Sequence, residues 1–83
     1  MIFHKIKSVA PLPDMCLMVE FVEGGSKRYD MKLIMEEYPV FKDLKRNNLF
    51  KLARVDAGGY GITWNDYIDI SCNELWENGL AQP

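Results

Sequence analysis

The residues that could do chemistry in this chain are few and far apart. There is one histidine, His4, and two cysteines, Cys16 and Cys72, 56 positions apart. Nucleophilic catalysis needs a nucleophile, a base and a group that orients the base. His4 has no Ser or Cys motif beside it, so a structural role is expected. Cys72 is placed at the first position of the last expected helix, where a helix dipole lowers a thiol pKa. No basic side chain is near it in sequence, and the neighbouring acids oppose the shift. With no C-x-x-C and no Cys/His cluster, both cysteines are expected as free, buried thiols. Asp66, Asp69 and Glu74 form a loose carboxylate set. Asp66 belongs to a turn and Glu74 to a helix cap, which leaves Asp69 without a local duty. Calcium takes roughly six to eight oxygen ligands, more than this set offers. Gly58-Gly59-Tyr60-Gly61 lacks the Lys-Ser/Thr of a phosphate loop and precedes a strand, so it reads as a hairpin turn. No catalytic residue, cofactor site or metal site is expected.

The elements that hold these residues follow from periodicity. Met1 to Ala10 alternates as a strand with Ile2, His4 and Ile6 on one face. Pro11-Leu12-Pro13-Asp14 should block ladder pairing and turn the chain. Cys16 to Val22 is a strand with Leu17, Val19 and Phe21 toward the core. Glu23-Gly24-Gly25-Ser26 is a hairpin turn, and Lys27 to Asp30 returns antiparallel. Asp30 can cap a helix over Met31 to Glu37. Pro39 opens a second helical segment with Phe41 and Leu44, ended by Asn47-Asn48.

Lys51 to Asp56 is expected as a strand, with Leu52 in apolar contact. After a Gly turn, Tyr60 to Trp64 returns, with Tyr60, Ile62 and Trp64 on one face. Asn65-Asp66 is expected as a two-residue type I′ loop, and Tyr67 to Ile70 as the last strand. Ser71 and Glu74 make a capping box, Ile70 and Leu75 a hydrophobic staple, and Gly79 the left-handed C′ residue of the helix Cys72 to Asn78. The expected fold is α+β: about five strands in hairpins, with two or three short helices, the last at the C-terminus. The 83 residues are expected to form one domain, with 79–83 as a frayed tail.

Composition excludes several classes. Hydrophobic residues are 48% and charged residues 27% of the chain, which fits a folded domain. No apolar run approaches a membrane span, and the alternating N-terminus is unlike a signal peptide. A cytoplasmic protein with no membrane partner is expected. Lys42, Lys45, Arg46, Lys51 and Arg54 cluster with a single acid, Asp43. From Val55 to Pro83 there is no Lys or Arg and there are five acids. The basic stretch matches no nucleic-acid signature and the net charge is −2, so direct nucleic-acid binding is not expected.

The ordered set of elements resembles the bacterial domain-of-unknown-function family numbered 2442. It is carried by Val9-Ala10-Pro11-Leu12-Pro13-Asp14, Leu17-x-Val19-x-Phe21, Asp30-Met31, Phe41-x-x-Leu44, Phe50, Gly61-Ile62-Thr63-Trp64, Asp69-Ile70-Ser71 and Glu74-Leu75. The chain departs from it at Asn65-Asp66-Tyr67, where relatives often carry Pro and Gly, and at Cys72, where a proline often begins the helix. The resemblance implies a small α+β domain with no established activity. It also implies a partner, a small protein encoded by a neighbouring gene and acting as the toxin of a toxin–antitoxin pair.

The expected function is therefore a non-enzymatic protein-interaction module of the antitoxin type, with Trp64, Tyr67, Asp69 and Trp76 as candidate partner-binding residues. Homodimerisation through a sheet edge is a further expectation. Two alternatives stay open at this point: a small-ligand or enzyme domain using Cys72 and Asp69, or a transcription-associated regulator without its own DNA-binding motif.

Overall fold

The computed structural model describes residues 2–83. Seven strands and two α-helices are present among them, in two antiparallel sheets. The first sheet holds β1 (Ile6–Leu12), β2 (Cys16–Phe21), β3 (Ser26–Asp30) and β7 (Leu80–Gln82), in the order β1-β2-β3-β7. The second holds β4 (Arg54–Val55), β5 (Gly61–Thr63) and β6 (Asp69–Ser71), in the order β4-β5-β6. Helix α1 (Met31–Glu37) follows β3, and α2 (Cys72–Asn78) joins β6 to β7. Two 3-10 segments, Pro39–Lys45 and Leu49–Leu52, bridge from α1 to β4.

Strand β2 follows its alternation. Leu17, Val19 and Phe21 are buried, and their row meets Ile34, Met35, Ile62, Trp64 and Leu75 in one core that both sheets share. The β2–β3 turn is tied by the Phe21 amide donating to the Gly25 carbonyl and the Gly24 amide donating to the Phe21 carbonyl. Gly24 and Gly25 sit at φ of 103° and 88°, a region glycine enters without a Cβ penalty. Asp30 caps α1 as its position suggests, accepting from the Lys32 amide at 2.9 Å.

Several expectations are corrected. Strand β1 starts at Ile6 and runs through Pro11, which pairs with Leu17. Pro11 is tolerated because β1 is an edge strand and needs ladder bonds on one side only. The turn moves to Pro13–Met15, where Asp14 and Met15 take left-handed φ values of 63° and 58°. Met1 lies outside the described residues. Within Lys51–Asp56, Lys51 and Leu52 finish a 3-10 turn, and only Arg54 and Val55 pair as strand. Leu52 is consequently 59% exposed instead of packing inward.

The Asn65-Asp66 loop is not a two-residue type I′ turn. Trp64 donates to the Ile68 carbonyl, so three residues bulge between them, none at positive φ. The capping box is half formed: the Glu74 amide donates to Ser71 Oγ at 3.1 Å. Ser71 is a ladder residue opposite Gly61, so the Glu74 carboxylate turns elsewhere. Gly79 is extended, at φ −78° and ψ 156°, and is not a left-handed cap. Its lack of a Cβ matters through space instead, since a Cβ there would meet the Leu75 carbonyl oxygen at 2.6 Å. The tail expected to fray is β7, paired with β3 as Arg28↔Leu80, Lys27↔Ala81 and Ser26↔Gln82. No helix among the described residues is long and apolar enough to cross a membrane.

Candidate functional site

The residues singled out by sequence do not converge. Trp64 is in the core, 2% exposed, and its indole N–H donates to the Phe50 carbonyl at 3.1 Å. Trp76 is half-buried on α2. His4 stacks on it with ring centroids 3.9 Å apart and planes within 5°, Phe21 meets it edge-on, and Lys27 Nζ lies 4.2 Å from its centroid. His4 Nδ1 is 2.5 Å from Glu23 Oε1, so the histidine ties residues 2–5 to the sheet and to α2. Asp69 is exposed on β6, opposite Thr63. Of the predicted aromatics, Tyr67 alone stands out in solvent, 86% exposed.

The thiols and carboxylates have structural surroundings. Cys16 and Cys72 are free and buried. Burial pushes the Cys72 thiol above its ordinary 9.0, the reverse of the lowering expected from the helix dipole. Glu74 Oε2 accepts from Tyr29 Oη–H and from the Asn78 side-chain amide, each at 2.9 Å. Burial, and then this bond to a carboxylate, raise the Tyr29 hydroxyl well above its ordinary 10.0.

What the fold builds instead is a groove of about 510 Å³ between the 3-10 segments and the β5–β6 loop. Val40, Leu49, Leu52, Tyr67 and Ile68 give it apolar walls, and Asp43 and Arg46 are its charged members. Val40 and Leu52 are 47% and 59% exposed. In a 3-10 turn the side chains at i and i+3 eclipse. Phe41 and Leu44 therefore share the buried edge of Pro39–Lys45, and Val40 faces out.

Tyr67 is held there by its loop. Asn65 Oδ1 accepts from the Tyr67 amide at 2.8 Å and from the Ile68 amide at 2.9 Å. Thr63 Oγ1 donates to the Asn65 carbonyl, and Trp64 closes the loop onto Ile68. An Asx turn thus fixes the backbone beneath an exposed aromatic ring.

Sequence reasoning nominates Tyr67 but not Val40, Leu49 and Leu52: Val40 lies in an apolar helical segment and Leu52 in an expected strand, and apolar residues so placed are read as core. The available signal was Pro39 and Asn47-Asn48, which enclose seven residues and leave room only for a short tight segment. By sequence Arg46 is visible only as part of a charge cluster.

The chain matches the family described as Protein of unknown function (DUF2442) over residues 6–81. It belongs to that family. The match runs from the first residue of β1 into β7, so every strand and both α-helices fall at least partly within it. No curated protein and no solved structure matches the chain.

Proposed function

We propose that this DUF2442 protein is a non-enzymatic protein-interaction module that works in the cytoplasm as the antitoxin-side partner of a small toxin encoded by a neighbouring gene. The observation that carries the reading is Tyr67, an exposed aromatic on a hydrogen-bonded loop at the rim of an apolar groove. Aromatic side chains dominate interface energetics when a pocket lies beside them. A loop already ordered before binding avoids much of the entropy cost of association. Leu52 and Val40 supply the apolar area, and Asp43 and Arg46 the polar groups that would set register. The narrower antitoxin role rests on the resemblance alone.

The test is co-expression with the product of the adjacent gene, followed by size-exclusion chromatography. One co-eluting peak is expected, with Y67S weakening the complex by roughly a hundredfold, as for a central aromatic anchor. Two separate peaks from the wild-type pair at micromolar concentration would overturn the partnership. A complex indifferent to Y67S would move it to another face.

A further inference from the structure

We propose that β7 is the pairing edge for a second copy of this chain, joined antiparallel about a two-fold axis at Ala81. The two sheets have four outer strands, β1 and β7 in one and β4 and β6 in the other. Proteins guard such edges with charge, proline or cover. Strand β1 carries Lys7 and Pro11, and the Ile6 amide at its start already donates to the Gly59 carbonyl. Strand β4 carries Arg54 and β6 carries Asp69, so either one pairing with itself brings like charges together. Strand β7, Leu80-Ala81-Gln82, has no charge and no proline.

The surroundings of β7 favour a copy of the same chain over a partner of one charge. A groove of about 410 Å³ runs beside it, lined by Leu33 and Leu80, by Asp14 and Asp30, and by Arg28 and Lys32. Leu33 and Leu80 are 69% and 71% exposed. Two acids and two bases balance, so the patch meets itself without net repulsion. An isologous contact requires that self-complementarity. Arg28, next to Leu80 across the ladder, forms no ion pair among the described residues and can meet an acid of the second copy. With the axis at Ala81, the small alanine faces its own counterpart, and Leu80 faces Gln82 of the second copy on both sides. The first sheet then continues through the junction as eight strands, twice the four of one chain.

A three-residue ladder with two leucines a side makes a weak dimer, with Kd on the order of 10 µM. Sedimentation equilibrium of the full chain tests it, using L80K/Q82K and L80E/Q82E. Each variant sets like charges against each other at both Leu80–Gln82 positions, and each is expected to weaken the dimer roughly tenfold or more. Mixing the two sets opposite charges face to face and is expected to restore a dimer near wild-type strength. Circular dichroism of each variant checks that it is folded, and restoration on mixing itself requires folded partners. A wild-type chain that stays monomeric at roughly 100 µM overturns the proposal. So does a dimer that both charge variants leave intact, or one that fails to return on mixing.

Discussion

At the scale of single residues, the aromatics divide by where their polar atoms go. Trp64 has its one donor satisfied inside the core, at the Phe50 carbonyl. W64F leaves that carbonyl without its donor and a void beside Phe50 in the shared core. A loss of about 2 kcal/mol is expected, read from the urea midpoint. Tyr29 makes a pH prediction. Its folded pKa lies above the ordinary 10.0, chiefly through burial and then through the bond to Glu74. A proton is therefore held more tightly in the folded state than in the unfolded one. This contribution is intact below pH 10 and is lost as pH rises above that value. Y29F should lower stability by about 1 kcal/mol at neutral pH, yet show a shallower decline above about pH 10. Urea titrations across that range check both halves. Cys72 is 1% exposed and burial raises its thiol above the ordinary 9.0, so the start of α2 does not hold a thiol of lowered pKa.

At the scale of elements, the instructive case is the end of the chain. Leu80 to Gln82 is only three residues long, and nothing in its own sequence demands a strand. It becomes β7 because Gly79 lets the chain pass close to Lys27 and the end of α2, where a Cβ would come within 3.0 Å of the Lys27 Cβ. Lys27 reinforces the junction by donating from Nζ to the Trp76 carbonyl. Removing residues 80–83 is expected to cost roughly 1–3 kcal/mol, about 1 kcal/mol for each ladder bond lost. Amide exchange at Lys27 and Arg28 should quicken at the same time. An unchanged urea midpoint would mean that β7 contributes nothing to the sheet. The 3-10 segments show the converse. Their tight turns satisfy the backbone locally, so Val40 and Leu52 can stay in solvent without loosening the fold.

At the scale of the whole molecule, one core supports two separate surfaces. The groove at Tyr67 and the groove beside β7 have no lining residue in common. Changes at distant sites with no shared partners add independently. Y67S should therefore leave the sedimentation behaviour unchanged, and L80K/Q82K should leave the complex with the neighbouring gene product unchanged. Cross-effects larger than about threefold would show that the two surfaces are coupled. The charge segregation along the chain also changes meaning at this scale. The basic 3-10 segments and the loop with Tyr67 form opposite walls of one groove, so sequence regions of unlike charge meet at a single surface.

What the sequence determined by itself is what local chemistry can impose. The alternation of Leu17, Val19 and Phe21 makes β2, two glycines at positive φ make its hairpin, Asp30 starts α1, and Ser71 starts α2. The ordered set of these pieces was enough to show the family. Tertiary structure decided the rest. Pro11 could remain in a strand only because β1 is an edge, a fact about sheet order. Glu74 left its capping box because Tyr29, 45 positions earlier, offered a hydroxyl and Ser71 was already in a ladder. Tyr67 and the tail acquired their roles from neighbours distant in sequence. Periodicity reports which face of an element is apolar; it does not report what that face meets, because the meeting is made by long-range packing.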